Sequence, residues 1–197
     1  MNNILINEIN LWFDSSTREE KNYTRLYRQE VKETFPLVID KTIKILKLDK
    51  SQIQTLKIED SCDHSTQSPH ADTPKGQTTV ILPLIFNTPV STILYQSWYN
   101  GNNKIGYKHR PSGKTYYNSE WLSDDIDKVT GLSDEPFDTE FYNQWLSNYR
   151  YEDLHGLTVD RIYKWEIGVP IYFSANQLHS GSYFNGTKRW LVIHFHR

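Results

Sequence analysis

Apolar and polar positions divide the chain into an N-terminal part with helical spacing and a longer part with the alternation of strands. Residues 4–13 alternate loosely and predict a short strand or arm. Apolar residues at helical spacing follow over 18–35 and, after the break at Pro36, over 37–46. Beyond residue 51 the alternating pattern predicts strands at 54–60, 78–86, 91–99, 114–117, 161–167, 170–173 and 189–195.

The order of these elements predicts a mainly β fold. Many short strands with long loops, without regular alternation of strands and helices, favour an antiparallel jelly roll or barrel with the N-terminal helices packed outside. Pro83 within strand 78–86 indicates a bulge or an edge position, because proline cannot donate to a sheet ladder. We expect a single domain over 1–197, in which 1–50 form a helical support. The acidic, partly helical stretch 100–158 is expected to be an insertion and lid.

Composition narrows the classes of function. The chain of 197 residues is 37% hydrophobic and 14% aromatic, which is enough for one globular core. A net charge of -2 provides no overall basic field, so nucleic acid is not an expected partner. Cys62 is the single cysteine and excludes an intrachain disulfide, which fits an expected cytoplasmic location. We expect neither a signal peptide nor a membrane helix, because the N-terminal residues and the apolar runs lack their features.

Two histidines and an aspartate form a pattern that is typical of an iron site. His70 and Asp72 lie two residues apart in an extended segment, so their side chains point to the same side and can reach one ion. His179 lies in a distant stretch of small polar residues, which a jelly roll can bring beside the first. Two imidazoles and one carboxylate on one face suit non-haem Fe(II) and leave positions open for substrate and oxygen. We therefore predict His70, Asp72 and His179 as metal ligands and catalytic residues.

Arg189 offers a partner for an acidic cosubstrate. It follows His179 by ten residues and shares a strand face with Leu191 and Ile193, which we interpret as the apolar interior of the barrel. A guanidinium can grip a carboxylate through two parallel hydrogen bonds. A buried arginine needs a counter-ion, and the far carboxylate of 2-oxoglutarate would supply one. We therefore predict that Arg189 binds 2-oxoglutarate.

The combined pattern resembles the Fe(II)- and 2-oxoglutarate-dependent dioxygenases, most of all their prolyl-hydroxylase-like and small phage or bacterial members. The resemblance covers roughly the C-terminal two thirds of the chain and rests on His70-Ala71-Asp72, strand 79–86, residues 168–173, His179-Ser180-Gly181 and Lys188-Arg189. It implies a double-stranded β-helix fold and the cofactors Fe(II) and 2-oxoglutarate. It also implies the use of O2 to hydroxylate a primary substrate, with release of succinate and CO2. Members of the family often bind the cosubstrate with Thr or Tyr side chains, for which Thr79 and Tyr95 are the candidates here.

Other interpretations fit parts of the same pattern. A cupin-like metalloenzyme without 2-oxoglutarate would use similar ligands, although cupins usually space them more closely. A metal-free jelly-roll binding module would use the aromatic residues as a ligand groove. His194 and His196 lie on the strand face opposite Arg189 and are expected to point away from the barrel interior, while His64 is expected to be a solvated loop residue. The primary substrate, whether a peptidyl residue or a small molecule, and the oligomeric state stay open.

Overall fold

The fold is mainly β, with antiparallel strands in a jelly-roll-like arrangement, as the sequence predicts. A computed structural model of the chain describes residues 3–15, 23–26, 36–62, 69–72, 77–98, 107–109, 114–116, 139–149, 154, 157 and 159–196. Within these ranges, no helix combines the length and the apolar character that crossing a membrane requires.

The N-terminal segment is helical, and the prediction of a strand or arm over 4–13 is wrong. Helix α1 spans Asn3–Ser15 and buries Leu5, Ile6 and Ile9, which lie on one side at helical spacing. Asn10 of the same helix donates from its side-chain amide to the carbonyl of Leu84. Packing of this side against the sheet decides the conformation, since the loose alternation of the sequence also fits a strand.

The second N-terminal region contains a strand and a helix. Strand β1 (Tyr23–Leu26) pairs antiparallel with strand β2 (Ile53–Cys62), so the helix predicted over 18–35 is wrong at those four residues. The other residues of that prediction lie outside the described ranges. Helix α2 (Pro36–Ile45) confirms the helix predicted over 37–46. It begins at Pro36, where the missing backbone N–H costs no helical hydrogen bond.

Five strands form the larger sheet. Besides β1 and β2 they are β3 (Gln77–Phe86), β8 (Ile171–Ser174) and β10 (Thr187–His196). Their order is β1–β2–β10–β3–β8, and every neighbouring pair is antiparallel. The register between β10 and β3 shifts between Arg189 and Trp190, where Trp190 faces Pro83. Pro83 therefore lies at a bulge in an inner strand, which confirms one of the two positions that the sequence allows.

A smaller sheet packs against the larger one. It contains β4 (Ser91–Trp98), β7 (Val159–Lys164) and β9 (Gln177–Gly181) in the order β7–β4–β9. Strands β5 (Tyr107–His109) and β6 (Lys114–Tyr116) pair only with each other among the described strands. The short helix α3 (Thr139–Phe141) continues into a π-helical turn, Tyr142–Leu146, where the sequence predicts a longer helix. Most of the expected lid over 100–158 lies outside the described residues, so its role stays a prediction.

Both faces of the larger sheet are buried. One face packs against α1 and α2 through residues such as Leu56, Leu82 and Leu191. The other face meets the smaller sheet through residues such as Phe173 and Val192. Alternate residues of the central strand β10 therefore enter two different cores, because successive side chains point to opposite faces.

Candidate metal centre

Backbone hydrogen bonds bring the first predicted ligand beside the third. His70 and His179 form an isolated antiparallel bridge, in which each backbone N–H donates to the carbonyl of the other at 2.9 and 2.8 Å. Two residues further on, the N–H of Asp72 donates to the carbonyl of Ala175. The segment that carries His70 and Asp72 is thus held along β9 and the turn before it, as an extra strand would be.

The three predicted ligands converge on one point. A nitrogen of His70, a nitrogen of His179 and a carboxylate oxygen of Asp72 all lie within 4.8 Å of one another. Nε2 of His70 is 3.5 Å from Oδ1 of Asp72, and Nε2 of His179 is 3.5 Å from Oδ2. The prediction that these residues meet is confirmed by the geometry, and their roles as ligands stay a prediction.

Hydrogen bonds behind the group orient two of its members. Nδ1 of His179 donates to the carbonyl of Gln177 at 3.1 Å, which leaves Nε2 of the same ring as the nitrogen that faces Asp72. The hydroxyl of Thr79 donates to Oδ2 of Asp72 at 2.8 Å. Contacts of this kind fix the ring orientation of a metal-binding histidine and the rotation of a metal-binding carboxylate.

The charge states suit metal binding. Burial lowers the pKa of His179 to about 4, so its imidazole is neutral near pH 7. Burial alone would raise the pKa of Asp72, but the charge of His179 and hydrogen bonding by His194 and His70 bring it well below its usual value. A neutral imidazole and an ionised carboxylate are the forms that bind a metal ion.

A cavity between the sheets opens from this group. Its lining includes His70, Asp72 and His179, together with Thr79. It also includes a set of charged and aromatic residues from β2, β10 and a neighbouring loop: Lys57, Glu59, Trp165, Lys188 and Trp190. The group of possible metal ligands is therefore accessible to a small molecule that enters the space between the sheets.

Lys188 is the least expected member of the cavity lining. Only 4% of the residue is exposed, and its Nζ lies 4.0 Å from the ring centre of Phe184 and 5.2 Å from that of Trp190. Burial lowers the pKa of Lys188 to about 8, against the opposing effect of the charge of Glu59. Glu59 is itself paired with Lys57 at 2.7 Å. Two lysines thus share one glutamate in this part of the cavity.

Comparisons with known proteins support the fold but not a sequence family. The sequence matches no protein-family model and no curated protein. The structure is similar to that of SnoN, a non-heme alpha-ketoglutarate-dependent epimerase from nogalamycin biosynthesis, with a TM-score of 0.52 and 9% identity over 100% of this chain and 75% of the epimerase. At this identity, the comparison shows that the two proteins share a similar fold.

Two further solved structures match with lower TM-scores. AviO1 from Streptomyces viridochromogenes Tue57 has a TM-score of 0.45 and 9% identity, covering 98% of this chain and 81% of its own. E. coli ycfD has a TM-score of 0.44 and 12% identity, covering 91% of this chain. The chain spans only 35% of the length of ycfD.

Arg189 does not point into the cavity, and its predicted orientation is wrong. Its guanidinium lies 2.9 Å from Oδ2 of Asp60 and also donates to Asn10 of helix α1. It does share a face with Leu191 and Ile193, but that face packs against the helices. The predicted grip of Arg189 on 2-oxoglutarate therefore loses its geometric basis.

Tyr95 and Thr79 have different outcomes. The side chain of Tyr95 is fully buried in a cluster with Leu146 and Leu178 on the outer side of the smaller sheet, and its hydroxyl is 2.8 Å from that of Ser180. Tyr95 does not line the cavity, so its expected position at the cosubstrate is wrong. Thr79 does line the cavity, but its hydroxyl donates to Asp72. Its role in cosubstrate binding stays a prediction.

His194 is a residue of the site that sequence reasoning missed. Its side chain is buried, and its Nε2 lies 3.4 Å from Oδ2 of Asp72. The expectation that it points away from the interior is wrong, because the face opposite Arg189 is the inner face of the strand. His196, two residues on, is exposed and lies 3.3 Å from the side-chain amide of Gln77. His64 lies outside the described residues. The missed signal is that two polar residues, Lys188 and His194, share one face of the strand.

The residues fit a divalent transition metal better than a structural zinc or a calcium ion. Calcium prefers a shell made only of oxygen atoms, and structural zinc usually has four protein ligands. Two imidazoles and one carboxylate beside an open cavity are the donor set of non-haem Fe(II). Nε2 of His179 is the nitrogen that faces the group, because Nδ1 of the same ring is engaged with the carbonyl of Gln177.

Proposed function

We propose that the protein is an Fe(II)- and 2-oxoglutarate-dependent oxygenase that hydroxylates a primary substrate and releases succinate and CO2. The observation that carries the proposal is the convergence of His70, Asp72 and His179 on one point at a cavity between two sheets. A ferrous ion bound there would supply the activation of O2 and of the 2-oxo acid. The protein would supply three ligands, a cavity between the sheets and an anchor for the cosubstrate.

Lys188 is our candidate for that anchor, in place of Arg189. It lies on the inner face of β10, and its ammonium group is surrounded by Phe184, Trp165 and Trp190. Among the described residues in this part of the cavity, two lysines face one glutamate, Glu59, so the charge of Lys188 is only partly balanced there. A buried charge is costly without a counter-ion, and the far carboxylate of 2-oxoglutarate would provide it.

The fold likeness to SnoN adds a weaker line of support. That protein is described as non-heme and alpha-ketoglutarate-dependent, and the two structures share the same β architecture. One fold hosts many chemistries, so the likeness gives the arrangement of strands and not the reaction. The proposal therefore depends on the donor set and on the buried lysine.

One observation favours a second candidate, a cupin-like metalloenzyme that does not use 2-oxoglutarate. His194 adds a third imidazole beside Asp72. If all three imidazoles and the carboxylate bound one octahedral ion, two positions would remain, too few for a bidentate 2-oxo acid and O2 together. Succinate formation from 2-oxoglutarate distinguishes the two candidates, because only the first consumes the 2-oxo acid.

The decisive experiment is an anaerobic titration of the protein with Fe(II) and 2-oxoglutarate, followed by admission of O2. We expect a weak visible charge-transfer band from the complex and slow succinate release even without the primary substrate. His179→Ala should abolish the band, and His196→Ala, which alters an exposed histidine, should leave it intact. A wild-type protein that binds Fe(II) without a band or succinate would overturn the 2-oxoglutarate assignment, and one that binds no Fe(II) would overturn the metal site.

A further inference from the structure

His194 lies where it can act on the carboxylate of Asp72. It is on the inner face of β10, directly opposite Thr79 of β3 in the register of the two strands. Its side chain is only 6% exposed. Its Nε2 lies 3.4 Å from Oδ2 of Asp72, and this is the contact that the structure defines for that atom among the described residues. A buried imidazole beside a buried carboxylate can hold that carboxylate in one orientation.

The two oxygens of Asp72 have different surroundings. Oδ2 accepts a hydrogen bond from the hydroxyl of Thr79 at 2.8 Å, and it lies 3.4 Å from Nε2 of His194 and 3.5 Å from Nε2 of His179. Oδ1 lies 3.5 Å from Nε2 of His70. Thr79 and His194 thus approach the same oxygen from two paired strands, β3 and β10.

We propose that His194 is a positioning residue that, together with Thr79, holds Oδ2 of Asp72 so that Oδ1 is presented to the metal ion. This inference rests on the metal site of the proposed function. A carboxylate held in this way binds through one oxygen and leaves three of six positions for cosubstrate and O2. His194 would then support the 2-oxoglutarate chemistry without occupying a position on the ion.

The geometry favours this role over that of a fourth ligand. The donor atoms that lie mutually within 4.8 Å belong to His70, Asp72 and His179, and His194 is not among them. Its defined contact is with the oxygen that Thr79 already holds. Partners behind the ligands typically change metal affinity by about 10- to 100-fold when they are removed.

The test compares the wild-type protein with His194→Phe, which keeps a ring but has no donor, and His194→Gln, which keeps an N–H donor. X-ray absorption of the Fe(II)-loaded proteins counts the imidazole ligands, and competition with a chelator gives the Fe(II) affinity. We expect two imidazoles in all three proteins. His194→Phe should bind Fe(II) about 10- to 100-fold more weakly, and His194→Gln should recover part of that loss. His196→Phe is the matched control and should behave as the wild type.

Each other outcome overturns the inference in a distinguishable way. Three imidazoles in the wild-type protein, one of which is lost in His194→Phe, would make His194 a ligand. A folded His194→Phe with unchanged Fe(II) affinity would make it a packing residue. If His194→Phe fails to fold by circular dichroism, His194→Gln decides, because a positioning role predicts a weaker but measurable affinity. A wild-type protein that binds no Fe(II) removes the metal site itself and the proposed function with it.

Discussion

His70 and His179, far apart in the sequence, donate backbone hydrogen bonds to each other's carbonyls at 2.9 and 2.8 Å. The alignment of their imidazoles is therefore set by sheet pairing and not by a loop. Backbone pairing is stiff, so the two rings are held at one spacing before any ion arrives. Their ring centres are 4.5 Å apart, close enough for one ion to reach both.

The hydroxyl of Thr79 should matter for metal affinity. Thr79→Val keeps the shape of the side chain but removes the hydrogen bond to Oδ2 of Asp72. We expect about a 10-fold weaker Fe(II) affinity, because the carboxylate loses one of the contacts that orient it. Chelator competition measures the affinity, and Thr79→Ser, which keeps a hydroxyl, is the control. Equal affinities for Thr79→Val and the wild type would contradict the orienting role.

Neutralising two neighbouring cations of β10 should have opposite effects on stability. The fall of the Lys188 pKa from 10.5 to about 8 corresponds to about 3 kcal/mol of burial cost. Lys188→Met should therefore raise the free energy of unfolding by about 1–2 kcal/mol near pH 7, since methionine needs no counter-ion. Arg189→Met should lower it by about 2–3 kcal/mol, because Asp60 loses its guanidinium partner. Urea denaturation measures both changes.

The variants Lys188→Met and Arg189→Met should also differ in their binding of 2-oxoglutarate. Lys188→Met should abolish detectable 2-oxoglutarate binding in calorimetry, while Arg189→Met, if folded, should retain it. The reason is that Lys188 lines the cavity and Arg189 faces helix α1. Retained binding in Lys188→Met with lost binding in a folded Arg189→Met would restore the original assignment of the anchor to Arg189.

Binding of 2-oxoglutarate should weaken in mildly alkaline solution. The pKa of Lys188 is lowered to about 8, so its charge is present below that pH and is lost above it. The affinity is then expected to be constant from pH 6.5 to 7.5 and to fall towards pH 9.5. Lys188→Arg keeps its charge throughout this range and should flatten the profile. An unchanged affinity at pH 9.5 in the wild type would argue against Lys188 as the anchor.

The free energy of unfolding of the ligand-free protein should rise with pH, whereas the affinity for 2-oxoglutarate should fall. Between about pH 8 and 10.5 the unfolded chain binds a proton at Lys188 that the folded chain does not. Stability rises with pH wherever the unfolded state holds more protons, so the free energy of unfolding should increase across this window. Lys188→Met provides the baseline, and the difference between the two proteins in urea denaturation should shrink as pH rises. A constant difference would mean that Lys188 is not the titrating group.

The variant Tyr95→Phe tests whether Tyr95 lies outside the cosubstrate site. Tyr95→Phe removes a buried hydroxyl that lies 2.8 Å from that of Ser180. We expect a loss of about 1 kcal/mol in the free energy of unfolding, because a buried hydrogen bond is broken. Binding of 2-oxoglutarate should be unchanged, since the ring is outside the cavity. Weaker binding in calorimetry would place Tyr95 at the cosubstrate after all.

The fold class and the pair His70 and Asp72 could be predicted from the sequence because both depend on local order, whereas His179 is added through the expected jelly roll. Alternation marked the strands, and the spacing of His70 and Asp72 placed two ligands on one side. The conformation of α1 could not be predicted, since its apolar residues fit a strand as well as a helix and only packing decides. The same holds for β1, whose pairing with β2 overrides the helical spacing.

The orientation of β10 shows a second limit. Alternation correctly grouped Arg189 with Leu191 and separated it from His194. It could not show which group faces the cavity, because both faces of the strand are buried and each contains apolar residues. The sequence predicts that the face of Leu191 and Ile193 is the interior of the barrel, and in the structure this face lies beneath the helices. The predicted orientations of Arg189 and His194 are therefore wrong for the same reason, because the two faces of β10 are exchanged.

The alternation of β10 also affects how this protein can change. Leu191, Ile193 and Phe195 face the helices, and Lys188, Trp190 and Val192 line the cavity, so the two faces of one strand serve different purposes. Substitutions at Leu191 or Ile193 should alter stability with little effect on selectivity, whereas substitutions at Trp190 or Val192, which line the cavity and also pack between the sheets, should affect both. A single-residue insertion within the strand would exchange the two sets at once and would disrupt both the packing under the helices and the cavity.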